Sequence, residues 1–487
     1  MILISTACSW SGGEILKLIK MSKEDVREIK AMCIPVFVEQ LTIALMAMLV
    51  SAMVKGSGMA AVASVNLLNS LTMLFQQTYT AIGVGVTVVV AQYLGRGDTQ
   101  STGRAASQSI MLSIYLSVVV ALGCFVFMEP LLGLILADSE PLVYAYSRTY
   151  LVYNVLSLPF IAIYTVASAA IRGSGFPRTS LWATLIHNGG YAVMAAVAVY
   201  VLDTGLTGVS ISLLASRILA AAASIWLLMR GNENMRVNRL SLRLQGEIMR
   251  PVFTVGFPLF LENLLFQGGK LITQTFSVAF GTNAIAANGI VNNIHSLQIV
   301  PGLTVSNAAP PIVGKYCGRG DKKEAKRKGV QFLGLATVAL AITSLLMYIF
   351  LPPLTTLFTD VPEVQNEIIH VFGMICLLVP ILWPMGFALP SILRSSGDAV
   401  YTSAVCVGAM IFMRIGIAYY FTQVMKIGIN GIWIGMYADW VFRIVFFLPR
   451  FIKGKWLDHE LIKSKATAGV DEPASQEDQE EPVASEK

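Results

Sequence analysis

The segment VAQYLGRGD at residues 90–98 returns as VGKYCGRGD at residues 313–321, 223 positions later. The valine, the tyrosine and the closing Gly-Arg-Gly-Asp agree between the two copies. The same offset relates Pro35 to Pro258, Glu39 to Glu262, Asn69 to Asn292 and Arg104 to Arg327. Arg172 in IRGSG matches Arg394 in LRSSG after a slip of one residue. An offset kept over this length predicts an internal duplication.

The composition indicates that the duplicated chain lies in a membrane. Of 487 residues, 55% are hydrophobic and 13% are charged, whereas soluble domains have about 25% charged residues. Apolar stretches of roughly 20 residues predict membrane-spanning helices. Twelve are predicted, at about 30–54, 61–91, 105–127, 149–171, 179–201, 207–229, 251–279, 285–313, 329–351, 366–393, 399–423 and 429–451.

The predicted fold is an all-α membrane protein with twelve transmembrane helices in two homologous six-helix bundles. Six is an even number, so both halves enter and leave on the same side. Parallel repeats related by a pseudo-twofold axis along the membrane normal are therefore expected. The predicted cytoplasmic N-terminal segment is 1–29, and the N-terminal bundle follows at 30–229. A basic cytoplasmic linker at 230–250 leads to the C-terminal bundle at 251–455. A disordered cytoplasmic tail is predicted at 456–487.

The placement of the basic residues predicts the orientation. Only Lys55, Arg148 and Lys426 of the 35 lysines and arginines lie in loops after odd-numbered helices, and most of the others lie in the terminal segments and the loops after even-numbered ones. The positive-inside rule therefore predicts a multi-pass cell-membrane protein with both termini in the cytoplasm. The net charge of +6 is explained by this orientation and by anionic lipid headgroups, so no nucleic-acid partner is expected.

The sequence offers little for catalysis, metal binding or a cofactor. The six cysteines are scattered, without a CxxC pair or a Cys/His ligand spacing, which argues against metal sites and disulfides. No GxxxxGK[ST] string is present, so ATP hydrolysis is not expected. We predict that the protein is not an enzyme and uses no cofactor.

Three acidic residues lie well inside predicted spans: Glu39, Glu262 and Asp439. Each charge at this depth costs roughly 2.5–3.5 kcal/mol on insertion scales. Arg443 follows Asp439 by four residues, the spacing at which helical side chains meet. Asp439 therefore has two interpretations, a structural ion pair or a role in proton relay or substrate binding.

Glu39 and Glu262 have no basic residue three or four positions away, and each follows a proline by four residues, in PVFVEQ and PLFLEN. Pro35 and Pro258 remove a helical hydrogen bond and are expected to kink their helices. A freed carbonyl beside a carboxylate offers oxygen ligands for a coupling cation. The alternative is a hydrogen-bonded glutamate that holds helices together. The neighbouring amides of Gln40 and Asn263 complete these two candidate sites.

Other polar residues in the spans have two interpretations each. Arg217 can bridge to Glu39 or Asp439 across helices, or face a cavity. Lys270 and Arg414 would favour an anionic or zwitterionic substrate if they face the cavity. Asn69 and Asn292, on polar second and eighth helices, either line a cavity or bond to neighbouring helices. His295 is either a satisfied interior group or a proton carrier.

The twelve helices in two halves, the repeated YLGRGD and YCGRGD loops, LFTDVPEV before the tenth helix and LRSSGD after it together resemble the multidrug and toxic compound extrusion (MATE) family. The resemblance covers about residues 25–455. It implies two bundles around a central cleft and drug export driven by inward Na+ or H+. Glu262 matches the carboxylate position associated with cation binding in NorM-type members, which implies a possible Na+ site. Val50 stands where another branch carries an aspartate.

The leading hypothesis is a monomeric secondary active antiporter that exports amphipathic small molecules by alternating access, driven by inward H+ or Na+. A lipid-linked glycan flippase of similar architecture is the alternative. The repeated loop itself has a structural interpretation, in which its glycines permit a tight turn and Asp98 or Asp321 caps the next helix. A role in gating is the other interpretation.

Overall fold

A computed structural model describes residues 21–55, 59–136, 140–230, 235, 237, 244–276, 280–459 and 461–462. About half of the predicted linker 230–250 and most of the predicted tail 456–487 lie outside these residues, as do residues 1–20 of the predicted N-terminal segment. The N-terminal half contains helices α1 (Lys23–Lys55), α2 (Met59–Gly95), α3 (Thr99–Val126), α4 (Met128–Leu136), α5 (Pro141–Leu156), α6 (Leu158–Gly173), α7 (Pro177–Ala196) and α8 (Gly205–Arg230).

The C-terminal half repeats this order with more interruptions. Its helices are α9 (Gly246–Thr275), α10 (Gly281–Gln298), α11 (Val300–Arg319), α12 (Lys322–Ile349), α13 (Leu351–Phe358), α14 (Pro362–Trp383), α15 (Leu389–Arg394), α16 (Ala399–Gly408), α17 (Gly416–Tyr419) and α18 (Asn430–Lys453). Three π-helical turns, Pro384–Ala388, Ala409–Ile415 and Tyr420–Val424, join neighbouring pieces into longer spans.

The predicted spans are found, with two of them broken. Among the described residues, ten helices are long and apolar enough to cross a membrane, and the pair α5 and α6, bent by 47°, forms an eleventh. The predicted eighth span, 285–313, corresponds to α10 and α11, which are separated at Ile299. Its asparagines lower its hydropathy. Helices satisfy their own backbone groups inside lipid, which is why the described spans are helical.

Each copy of the GRGD segment makes the tight turn that the sequence predicts. Gly97 and Gly320 have φ values of 75° and 78°, a left-handed conformation that glycine adopts without a Cβ penalty. The Asp98 carboxylate accepts a hydrogen bond from the Ser101 amide at 2.9 Å. Asp321 accepts the equivalent bond from Glu324 at 3.0 Å. The predicted capping role is confirmed in both halves.

The first glycine of each copy has a role that the sequence did not reveal. A Cβ on Gly95 would lie 2.1 Å from the Lys315 carbonyl oxygen, and a Cβ on Gly318 would lie 2.1 Å from the Gln92 carbonyl oxygen. The two contacts are related by the offset of 223. Helices α2 and α11 therefore cross backbone to backbone at the end of the molecule that carries the two loops, which we call the GRGD side.

Other contacts between the halves also lie toward the GRGD side. Helix α2 packs on α9, and its equivalent α11 packs on α1, the equivalent of α9. A twofold axis between the halves produces such a pair of related contacts. Asp25 of α1 forms ion pairs with Arg327 at 2.9 Å and with Lys328 at 2.8 Å, both on α12. Gln92 donates a hydrogen bond to the Ser395 carbonyl at 2.8 Å. Charged and close-packed contacts thus hold the two bundles together at this side.

The bundle boundaries differ from the predicted ones at three places. Helix α1 begins at Lys23 rather than at residue 30, and α9 begins at Gly246 rather than at residue 251. Residues Lys455–Asp458, at the start of the predicted tail, form a 3-10 turn in which the Trp456 ring is fully buried and stacks on Phe451. The large apolar area of this tryptophan keeps the segment against the C-terminal bundle.

Candidate functional site

Glu39 of α1 is buried and paired with an arginine from another helix. Arg172, near the end of α6, donates to one carboxylate oxygen of Glu39 at 2.7 Å and to the Ser180 hydroxyl at 3.0 Å. The second carboxylate oxygen of Glu39, Oε2, is buried without a hydrogen-bond partner among the described residues. One oxygen of this carboxylate therefore remains available for a proton or a cation.

Glu262 of α9 repeats this arrangement in the C-terminal half. Arg394, at the end of α15, donates to Glu262 Oε2 at 2.5 Å, and the Ser403 hydroxyl donates to the same oxygen at 2.7 Å. Arg394 also donates to Thr402 at 3.1 Å. Ser180 and Ser403 are related by the offset of 223, so the duplicated unit is a Glu–Arg–Ser triad.

The two arginines are the functional residues that the sequence interpretation missed. The match of IRGSG with LRSSG marked Arg172 and Arg394 as a repeated pair, but assigned them no partner. Each lies more than 130 residues from its glutamate, at 133 and 132 positions. No local spacing links residues so far apart, and only the repetition of both members offered a signal.

Asp439 of α18 forms the ion pair that its spacing predicts. Arg443 donates to both carboxylate oxygens, at 2.9 and 3.2 Å, and Arg414 approaches one of them at 3.7 Å. Asp439 and Arg443 are both buried. Breaking a buried pair by removing one member typically costs about 3–5 kcal/mol, so replacing Asp439 alone is expected to destabilise the C-terminal bundle.

Lys270, His295 and Arg414 lie around this ion pair. His295 forms a hydrogen bond through Nδ1 to Gln298 at 3.0 Å and stacks on the Trp440 ring. It also interacts electrostatically with Arg414 and Lys270. Lys270 is exposed. We call Lys270, His295, Arg414, Asp439 and Arg443 the C-lobe cluster. With His295 neutral, its three cations exceed its one carboxylate, so it carries a net positive charge.

Aromatic rings cover the cations of the C-lobe cluster. The Arg414 guanidinium lies 5.2 Å from the centre of the Phe266 ring, and the Arg443 guanidinium lies 4.9 Å from that of Phe387. Cations over aromatic faces are attracted by the ring quadrupole. The arrangement offers positive charge beside apolar ring surface, which suits a ligand with an anionic group and an apolar body.

The predicted bridge from Arg217 to Glu39 or Asp439 is wrong. Arg217 of α8 donates to the Asn154 side-chain oxygen at 2.9 Å and to the Ser157 hydroxyl at 2.6 Å. Both supposed carboxylate partners are taken by other arginines, Arg172 and Arg443. Arg217 instead lies inside the N-terminal bundle and is 2% exposed.

The predicted amides contribute less to these sites. Asn292 donates to the Asn288 carbonyl within α10 at 2.8 Å. Gln40 and Asn263 are half-buried beside their glutamates. The Asn69 side chain lies outside the described residues. Pro35 and Pro258 lie within unbroken α1 and α9, and the predicted kinks stay predictions.

Comparison with known proteins agrees with this architecture. The MatE family model matches residues 35–198 and 258–420, one segment in each half. A probable multidrug resistance protein NorM of Thermotoga maritima is 25% identical over 448 residues, covering 90% of this chain and 95% of that protein. The multidrug export protein MepA of Staphylococcus aureus is 24% identical over 319 residues, covering 65% of this chain and 69% of that protein.

Solved structures share the fold. An outward-facing multidrug resistance MATE family transporter of the MOP superfamily aligns with a TM-score of 0.83 and 20% identity, over 88% of this chain and 96% of that one. A MOP superfamily transporter from Pyrococcus furiosus, described as having a binding pocket of reversed polarity, aligns with a TM-score of 0.82 and 20% identity, over 91% and 98%.

Two homologous helical bundles with a duplicated buried carboxylate site define a polytopic membrane transporter, not an enzyme. The family match covers both halves. The chain belongs to the MatE family of multidrug and toxic compound extrusion transporters.

Proposed function

We propose that the chain is a secondary active antiporter that exports amphipathic organic compounds by alternating access, driven by inward movement of H+ or Na+. The observation that carries this proposal is the duplicated Glu–Arg–Ser triad, Glu39 with Arg172 and Glu262 with Arg394. A carboxylate in each bundle is held by a cation and can exchange that cation for a bound ion. The multidrug names of the NorM and MepA relatives support the substrate class.

The GRGD side is proposed to face the cytoplasm, in the cell membrane. The positive-inside rule supports this orientation, because Arg96, Arg104, Arg319 and the lysines of 322–328 are grouped there. The contacts between the bundles on that side then correspond to a state closed to the cytoplasm. A monomer is proposed, since one chain already supplies both bundles.

The triads favour H+ over Na+ as the coupling ion. A proton on Glu262 neutralises the carboxylate and so releases Arg394 from its partner, which changes the contact between α9 and α15. The Arg394 guanidinium opposes either ion at this carboxylate, but a proton binds a single oxygen, whereas a sodium ion needs several oxygen ligands close to the guanidinium. Glu39, with its one unpartnered oxygen, is the second candidate for ion binding.

The C-lobe cluster supports anionic or zwitterionic substrates. Its net positive charge beside Phe266, Phe387 and Trp440 complements an aromatic body with a carboxylate or phosphate group. The same charge favours a second candidate, a lipid-linked glycan flippase, because such substrates carry phosphate. Translocation of a lipid-linked oligosaccharide in vesicles would identify that activity.

The test is transport in proteoliposomes under an imposed H+ gradient and, separately, an imposed Na+ gradient. A fluorescein-type anionic dye and ethidium serve as probes of the two substrate charges. We expect uphill movement of dye under the H+ gradient, and its loss in Glu262→Gln. Glu129→Gln is the matched control, because Glu129 also pairs with an arginine, Arg148, but is 57% exposed. No uphill movement under either gradient would reject antiport.

A further inference from the structure

Arg217 is a buried cation with no carboxylate partner among the described residues of the N-terminal bundle. It is 2% exposed, and it donates hydrogen bonds to the neutral side chains of Asn154 and Ser157. Glu39 is the only acid inside a predicted span of this half, and it is paired with Arg172. The other acids among the described residues of this half lie between helices or near their ends, namely Glu24, Asp25, Glu28, Asp98, Glu129, Glu140 and Asp203.

The last long helices of the two halves differ in their buried charges. At the offset of 223, Asp439 corresponds to Ser216, and Trp440 corresponds to Arg217. The C-terminal bundle therefore carries the counter-ion of Arg443 in its own sequence. In the N-terminal bundle Ser216 stands in place of that acid and Ala220 stands in place of Arg443, so Arg217 is a cation with no equivalent in the C-terminal bundle.

Several buried polar atoms near Arg217 have no hydrogen-bond partner among the described residues. They are the Arg217 Nε, the Tyr79 hydroxyl and the His187 Nε2. Arg217 interacts electrostatically with both Tyr79 and His187. The Nε and the hydroxyl are hydrogen-bond donors, and the imidazole nitrogen donates in one of its two tautomers. Unpartnered buried donors around a cation are the composition of an anion site.

The charge of Arg217 cannot be removed by deprotonation, because guanidinium stays protonated in proteins. A buried charge without a counter-charge destabilises the folded state. We propose that the N-terminal bundle binds one small monovalent anion at Arg217, coordinated by the guanidinium and the Tyr79 hydroxyl with His187 beside it. The ligand chemistry is a single negative charge, supplied by a halide from solution or by the carboxylate of a transported compound.

The experiment measures binding, so it does not depend on the proposed export activity. Purified full-length protein is titrated with sodium bromide at constant ionic strength kept with sodium gluconate, and binding is read from tryptophan and tyrosine fluorescence and from the melting temperature. We expect saturable binding and a rise in melting temperature with bromide. Arg217→Gln should abolish both responses, whereas Arg148→Gln, at an exposed arginine, should leave them unchanged.

Tyr79→Phe removes only the hydroxyl and keeps the buried ring. We expect it to weaken bromide binding by roughly tenfold or more, the effect of one hydrogen bond to a charged group. This variant also tests the proposal if Arg217→Gln does not fold. Equal bromide affinity in wild-type protein and Tyr79→Phe would remove the hydroxyl from the site. The absence of a saturable response in wild-type protein both to bromide and to the benzoate used below would overturn the proposal.

A second titration distinguishes the two sources of the anion. Sodium benzoate is added with and without bromide, and neutral benzamide is the control. Competition between benzoate and bromide that is lost in Arg217→Gln would assign the site to substrate carboxylates. Bromide binding that benzoate does not affect would assign it to inorganic anions. A response to benzamide equal to that of benzoate would show that charge is not recognised, which contradicts the proposal.

Discussion

The crossing of α2 and α11 at Gly95 predicts a specific effect of adding one methyl group. In Gly95→Ala the new Cβ would lie 2.1 Å from the Lys315 carbonyl oxygen, whereas ordinary contacts begin at about 3.4 Å. The helices must then separate by roughly 1.3 Å, since neither backbone can rotate out of the way. Overpacking of this kind costs about 1–3 kcal/mol.

This cost applies only to the conformation in which the bundles touch on the GRGD side. The substitution should therefore reduce the population of that conformation roughly 5- to 150-fold relative to one in which the bundles are apart. Gly318→Ala should have an effect of similar size, because its Cβ would lie 2.1 Å from the Gln92 carbonyl oxygen. Gly123→Ala in α3 is the control, since among the described residues no atom beyond the neighbouring backbone of its own helix lies within 4 Å of the added methyl.

The assay is the distribution of distances between spin labels at Arg104 and Lys323, two exposed positions on opposite bundles, in protein without its native cysteines. We expect both crossing variants to shift the distribution to longer distances and the Gly123→Ala protein to match the parent. Unchanged distributions in both variants, with normal gel filtration, would show that the crossing does not control closure on this side.

Three further predictions concern ion pairs and the C-terminal turn. Glu39→Gln and Arg172→Gln should each lower the free energy of unfolding by about 3–5 kcal/mol, because each single change leaves a buried partner unpaired. The double variant should lose less than the sum of the two single losses. Additive losses, measured by thermal melts in detergent, would refute a direct pair. Asp25→Asn should lengthen the same label distance as Gly95→Ala, since it weakens the link to α12, and an unchanged distance would exclude this role. Trp456→Ala should lower the free energy of unfolding by about 3–5 kcal/mol, whereas ending the chain after Ile462 should leave the melting temperature unchanged. A lower melting temperature after truncation, with none after Trp456→Ala, would show that the predicted tail and not the tryptophan stabilises the C-terminal bundle.

Much of the fold could be predicted because lipid reduces the choices of the backbone. A span must be helical and apolar, so hydropathy indicated the number of spans and the offset of 223 indicated their symmetry. The breaks did not follow from hydropathy. Helix α5 turns into α6 at Ser157, whose hydroxyl accepts a hydrogen bond from Arg217. That contact depends on a residue 60 positions away.

The candidate site was only half visible in the sequence. Glu39, Glu262 and Asp439 were identified because an acid inside an apolar span is costly and therefore rare. Asp439 could be given its partner because Arg443 lies one helical turn away. Glu39 and Glu262 could not, because Arg172 and Arg394 approach from other helices. Of the two interpretations of Arg217, the bridge to Glu39 or Asp439 is wrong for the same reason.

The sequence by itself determined the membrane location, the two parallel halves, the caps of the GRGD loops and the identity of the buried charges. These properties depend on composition, periodicity and spacing within about one helical turn. Tertiary structure alone decided which charges pair between different helices, that Arg217 has no carboxylate partner among the described residues, and that Gly95 and Gly318 lie where the bundles cross. Each of these depends on distances between separate helices, and the energy of a charge or a backbone contact changes over a few ångströms.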